Sequence, residues 1–112
     1  MAYTGWWHPD SAKEYHAWLS TATRGEKEVC VRLLTAFEEG ILDEGPVEME
    51  PHPMQVVSLS GRMIRVYCKT AAGKMARCFA VDERAKEIML LVIGPFNGPQ
   101  LWDTAFARAA GW

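Results

Sequence analysis

Arg65, Tyr67 and Lys69 occupy every second position of Met63 to Thr70, a run otherwise built of β-forming residues, and Arg77 stands inside the next such run, Met75 to Val81. Side chains alternate across a strand, so Arg65, Tyr67 and Lys69 fall on one face and Ile64, Val66 and Cys68 on the other. The first set suits water or phosphate, the second a core. Arg77 shares a face with Met75 and Phe79, and pairing across an Ala71–Lys74 turn would bring it near Arg65 or Tyr67. Cations and a phenol grouped in this way can hold a phosphodiester. The same pattern equally describes an antiparallel sheet that keeps one face polar toward solvent.

The elements that must position these residues are legible from periodicity and punctuation. Tyr3 to Trp7 is an aromatic strand that stops at His8-Pro9, where proline removes a donor. Ser11-Ala-Lys-Glu14 has the form of a capping box, followed by a helical stripe of Ala12, Tyr15, Trp18 and Leu19. Thr23-Arg-Gly-Glu26 repeats the capping pattern, and Val29, Cys30, Leu33, Leu34 and Phe37 recur at helical spacing until Gly40. Ile41 to Pro53, acidic and proline-rich, reads as an extended connection. Strands follow at Gln55–Leu59, Met63–Thr70, Met75–Val81 and Glu87–Ile93, the last apolar throughout and suited to a position buried on both faces. Gly98-Pro99 opens a final helix whose Leu101, Trp102, Thr104, Ala105 and Ala109 are expected to cover the sheet edge. The expected architecture is a single α+β domain over residues 1–112, two N-terminal helices packed on a small, mainly antiparallel β-sheet with a short C-terminal helix.

At 112 residues and 49% apolar content the chain has the size of one domain with one core. Its net charge of −2 conceals an asymmetry. Residues 1–50 hold four Lys/Arg against ten Asp/Glu, whereas residues 51–112 hold eight against four. The basic half is therefore the sheet half, and local field rather than the sum steers ligands. Cys30, Cys68 and Cys78 form no C-x-x-C pair and lie in apolar segments, which predicts three buried free thiols and a reducing cytoplasm. The opening residues lack a positive region followed by an apolar one, and no apolar run approaches the roughly 20 residues needed to cross a bilayer. A soluble, unprocessed protein with no membrane partner is expected.

No metal-ligand spacing surrounds His8, His16 or His52, and the sequence calls for no metal or cofactor. Walker, dinucleotide, G-x-S-x-G and HExxH patterns are absent. Most of the tryptophans fit apolar stripes or strand ends and read as core. Trp112, in the last position, is expected to be disordered unless something packs on it.

A strand, two helices, an antiparallel meander and a short last helix form a layout that resembles the RelE/HigB/ParE toxin superfamily. Local phrases resemble it as well: Met-Ala-Tyr at the start, then Ser11-Ala-Lys-Glu-Tyr15 entering an apolar helix, and Phe79-Ala-Val-Asp-Glu-Arg-Ala-Lys-Glu-Ile-Met-Leu-Leu91. The resemblance implies the toxin component of a type II toxin–antitoxin system, a ribosome-dependent messenger-RNA endoribonuclease neutralised by a cognate antitoxin. Its partners would be the antitoxin, the ribosome and messenger RNA. Such cleavage needs a base for the 2′-OH, cations for the phosphorane and an acid for the leaving oxygen. By that resemblance Arg77 takes the place of the central phosphate-binding arginine. Arg65, Tyr67 and Lys69 join it as candidate catalytic residues without making up a full acid/base set, and Arg62 and Lys74 are RNA-binding.

Two departures stand beside the likeness. Phe96-Asn-Gly-Pro-Gln100 carries no charge and no tyrosine where the family's ribonucleases place a basic or aromatic group, and Ser58 and Ser60 stand where lysines are frequent. The alternative is a non-catalytic protein of the same fold, acting by protein contact as a gyrase inhibitor does or on another partner. A small-ligand or metal binder would need a pocket that the sequence gives no reason to expect.

Overall fold

The computed structural model describes residues 3–41, 54–71, 75–96 and 100–112. Five strands form one mixed sheet: β1 (Thr4–Trp7), β2 (Met54–Val57), β3 (Met63–Ala71), β4 (Met75–Asp82) and β5 (Glu87–Pro95). Helices α1 (Pro9–Leu19) and α2 (Arg24–Ala36) follow β1, and α3 (Gln100–Ala110) ends the chain. The α+β class and the antiparallel meander agree with expectation.

The spatial order is β1-β5-β4-β3-β2. Strands β2 to β5 pair antiparallel in sequence order, whereas β1 joins β5 in parallel, with Thr4 opposite Glu87 and Trp7 opposite Leu90. Parallel neighbours need a long crossover, and the two helices belong to it. Helix α2 starts at the expected capping box, Thr23 Oγ1 accepting from Glu26 N–H while Glu26 accepts from Thr23 N–H. Helix α1 does not use Ser11 and Glu14 in this way. It begins at Pro9, capped by His8, whose Nδ1 accepts from Asp10 N–H at 3.1 Å. Proline at the first position loses nothing, because that amide has no partner within a helix.

The sheet is covered on both faces. Cys30, Leu33 and Phe37 of α2 and the following turn, with Tyr15 and Trp18 of α1, pack on Tyr67, Phe79, Val81, Ile88, Leu90 and Ile93. On the other face Leu101, Ala105 and Ala109, one side of α3, meet Ile64, Val66 and Cys68 of β3 and Ala76, Cys78 and Ala80 of β4. Small residues on both partners there let the helix axis approach the sheet closely. Helix α3 thus covers a face and not the edge assigned to it from sequence. The predicted parity of β3 and β4 is correct, but the face carrying Arg65, Tyr67 and Lys69 is in large part a second core.

The C-terminal helix is fastened through its last turn. Arg108 Nη1 donates to Glu14 Oε1 of α1 at 2.8 Å and to the Leu91 carbonyl at 2.7 Å. Leu91 is the residue skipped where the β4–β5 register shifts, so its carbonyl lies outside the ladder and takes a side-chain donor instead. Just beyond, Leu59 N–H donates to the Ala110 carbonyl and Ser60 Oγ to the Trp112 carbonyl. Trp112 lies edge-to-face with Trp6, ring centroids 5.5 Å apart, and its ring is 4.8 Å from the Arg62 guanidinium. The condition set for its order, that something pack on it, is met.

The three cysteines divide differently from expectation. Cys68 and Cys78 are directly opposite across β3–β4, their Cα atoms 4.2 Å apart, and are joined in a disulfide. A pairing register shifted by one residue from the expected one is what brings them face to face. Cys30 is free and buried, and burial pushes its thiol pKa up to about 11. The argument for a reducing compartment therefore loses two of its three thiols. Thiol titration in denaturant is expected to find one free thiol per chain without reductant and three with it, and Cys30 in the folded protein is expected to resist iodoacetamide at neutral pH. Two or more thiols without reductant would disprove the pairing. Among the described residues no helix is long and apolar enough to cross a membrane.

Candidate functional site

The residues expected to form one phosphate-facing surface are separated by depth. Arg65 is exposed and Lys69 half-buried, and among the described residues neither has an ion-pair partner. Tyr67 is buried, its ring stacked on Phe79 with centroids 5.1 Å apart and planes 14° from parallel. Arg77 is 1% exposed. It stands opposite Lys69, diagonal to Tyr67, while Arg65 stands opposite Val81. The register brings Arg77 to Lys69 and leaves Arg65 at the other end of the strand.

Arg77 is held from above by α2. Its Nη1 donates to the Leu33 carbonyl at 3.1 Å, and its guanidinium carbon lies 5.7 Å from the Phe79 ring centroid. Leu33 is in the last turn of α2, where its carbonyl also accepts from the Phe37 N–H and lies at the negative end of the helix dipole. That turn contains no basic residue of its own. The chain then widens into a π-helical turn, Phe37–Ile41, with Phe37 packed edge-on to Phe79. The cation that complements the end of α2 comes from the sheet beneath it. The exposed phosphate-binding position expected for Arg77, and the base-stacking or proton-donating position expected for Tyr67, are thereby corrected: both side chains are in the core.

Arg62 is also committed. Its Nη1 donates to Glu87 Oε1 at 2.7 Å and to Asp82 Oδ2 at 3.1 Å, and the hydrogen bond to Glu87 is the leading cause of its raised pKa. Two carboxylates and the Trp112 ring leave this guanidinium little to offer a phosphate. Ser58 and Ser60 belong to the same fastening, Ser58 Oγ accepting from Arg62 N–H at 3.0 Å. Lys74 and Asn97 to Pro99 lie outside the described residues, as does His52.

What remains open is the end of the sheet beyond the helices. A groove of about 270 Å³ runs there between Gln55, Met63, Arg65 and Val81 and the β4–β5 turn residues Glu83 and Arg84. Glu83 accepts from the Tyr3 hydroxyl at 2.8 Å and pairs with Lys86 at 3.2 Å. Burial and then this carboxylate push the Tyr3 pKa up. Asp82 accepts from Arg62 and from Ala85 N–H. The acids near the groove are occupied, and Arg65 and Arg84 have no ion-pair partner among the described residues. The charge of such a groove suits a carboxylate or a phosphate. Among the described residues no histidine lines it.

Arg84 and Met63 are the groove residues that sequence reasoning passes over. Arg84 sits in an Asp-Glu-Arg turn whose composition is that of any solvated turn, and nothing local marks it. For Arg77 a signal exists: Met-Ala-Arg-Cys-Phe-Ala-Val holds one charge in an apolar run, the pattern of a strand covered on both faces.

No protein-family model, no curated protein and no solved structure matches the chain. Its functional reading rests on the geometry of the groove and on the resemblance described above.

Proposed function

We propose that the chain is a RelE/ParE-fold toxin component, restrained by a cognate antitoxin, that acts by binding a protein target and not by cutting messenger RNA. The observation that carries the choice of binding over cleavage is the burial of Tyr67 and Arg77. One is stacked on Phe79 and the other bonded to the end of α2, so neither is presented to a scissile phosphate. The toxin half of the reading is supported by the element order, a strand and two helices before an antiparallel meander and a last helix. Function belongs to the site rather than the fold, and the site here is a cationic groove with an apolar rim.

A ribonuclease reading draws on one feature, the two cations Arg65 and Lys69 on the same side of β3. Induction of the wild type and of Tyr67→Phe in bacteria separates the two. The expected result is equal growth arrest from both, with no new in-frame messenger-RNA ends. In-frame cuts that disappear in Tyr67→Phe would establish the ribonuclease instead. Arrest accompanied by DNA damage would identify gyrase as the target, and absence of arrest would remove the toxin reading.

A further inference from the structure

At the other edge of the sheet, β1, the start of α1 and the end of α3 border a second cleft, of about 350 Å³. Its walls include Trp6 and Trp7 of β1, His8 that caps α1, Met89 of β5, Arg108 in the last turn of α3 and Trp112 just beyond it. The volume is ordinary for a small-molecule site. These walls come from separate parts of the chain, so no local sequence pattern announces them.

The aromatic walls favour a flat ring. Trp6 and Trp112 meet at 82° with centroids 5.5 Å apart, which makes a corner. A planar aromatic molecule laid on one indole presents its edge to the other, and both arrangements are favourable for aromatic pairs. The polar atoms of the walls are donors. An indole offers only N–H, and so does a guanidinium. Arg108 spends three of its five N–H groups on Glu14 and the Leu91 carbonyl, which leaves two. His8 Nδ1 accepts from Asp10 N–H, so the ring proton of the neutral imidazole is on Nε2. Burial, and then the charge of Arg108, lowers the His8 pKa and favours that neutral form. Among the described residues no carboxylate, hydroxyl or amide side chain lines the cleft, and its one permanently charged side chain is Arg108.

We propose that this cleft binds a small aromatic carboxylate of about the size of two fused rings. The ring fills the corner between Trp6 and Trp112. The carboxylate accepts hydrogen bonds and donates none, so it matches the remaining N–H groups of Arg108 and His8. An amine on the same ring would set donors against donors and a cation beside Arg108. A saturated ring of equal size would forfeit the stacked and edge-on contacts. The bound acid touches β1, the cap of α1 and the end of α3 together, so it stabilises the folded chain by mass action. The cleft shares no residue with the groove at Arg65 and Arg84 and is independent of the function read from that groove.

Isothermal titration calorimetry on the intact protein tests the assignment with three probes: naphthoate, naphthylmethylamine and the fully saturated decahydronaphthoate. Naphthoate is expected to bind once per chain with a Kd of about 100 µM or tighter, and the other two at least about tenfold more weakly. At ten times its Kd, naphthoate should raise the melting temperature by about 5 °C. Trp112→Leu and His8→Ser should each weaken naphthoate by about tenfold. Serine is itself a good helix cap, so His8→Ser should melt near wild type and report on the cleft alone. Arg65→Ser with Arg84→Ser, in the other groove, should bind naphthoate as wild type does. Equal binding of the amine or of the saturated acid would overturn the proposal, as would undiminished binding in His8→Ser or Trp112→Leu. Loss of binding in the Arg65 and Arg84 variant would place the acid in the other groove and overturn it too. So would the absence of saturable heat up to roughly 1 mM, the result expected if a second copy of the chain fills the cleft.

Discussion

Arg77→Ala is expected to lower stability by about 3 kcal/mol, a shift of roughly 10 °C in melting temperature for a domain of this size. The guanidinium is in the core, where its Nη1 serves the Leu33 carbonyl at the end of α2. Truncation removes a charge-assisted hydrogen bond and opens a void above Phe79. Arg77→Met separates the terms, because it keeps much of the volume and loses the donor. It should fall between wild type and alanine in a denaturant melt. Lysine also keeps a cation but cannot reproduce the planar fork, so Arg77→Lys should not restore full stability. A wild-type melting curve for Arg77→Ala would disprove the buried role. The result also governs how activity data are read, since loss of growth arrest in Arg77→Ala would report a damaged fold. Tyr67→Phe and substitutions of the exposed Arg65 are the informative probes of chemistry.

Phe79→Ala should cost more, about 3–5 kcal/mol. Phe79 is fully buried where three elements converge: stacked with Tyr67 of β3, edge-on to Phe37 after α2 with centroids 5.8 Å apart, and beneath the Arg77 guanidinium. Removing the ring takes away the burial of a large side chain together with two aromatic contacts and a cation–π contact. Against a total stability of about 5–15 kcal/mol for a domain, such a loss populates the unfolded chain measurably. Because Arg77 and Phe79 share these contacts, the double alanine variant should lose less than the two single losses added together. Chemical denaturation of the four proteins of this cycle measures the coupling, and strict additivity would show that the two side chains act independently.

Local chemistry explains which parts of this structure the sequence discloses. The Thr23–Glu26 capping box, the alternation of β3 and the apolar run of β5 depend on near neighbours, and each appears where periodicity predicts it. The start of α1 is displaced because two N-terminal signals overlap. His8-Pro9 takes the cap, leaving Ser11 buried and Glu14 available to Arg108. Depth is a different matter. Strand parity assigns Tyr67 and Arg65 to the same face, but only the position of α2 decides that one lies under a helix and the other beyond it. The disulfide turns on one residue of hairpin register: centring the turn on Ala71–Lys74 sets Cys68 opposite Arg77, whereas the observed register sets it opposite Cys78. The groove at Arg84 depends on which acids are already bonded, a property of the folded molecule.

The parallel union of β1 and β5 joins strands that are far apart in the sequence. The β3–β4–β5 meander needs only short-range closures, and its hairpins can form as soon as their residues exist. The first strand has no such local partner. Its hydrogen bonds run to β5, so Trp6 and Trp7 cannot take their places in the sheet until β5 has been synthesised. Synthesis and sheet assembly therefore run in opposite orders in this protein: the strand translated first is placed last, and a ribosome that stops before β5 releases a chain whose first strand has no ladder to join.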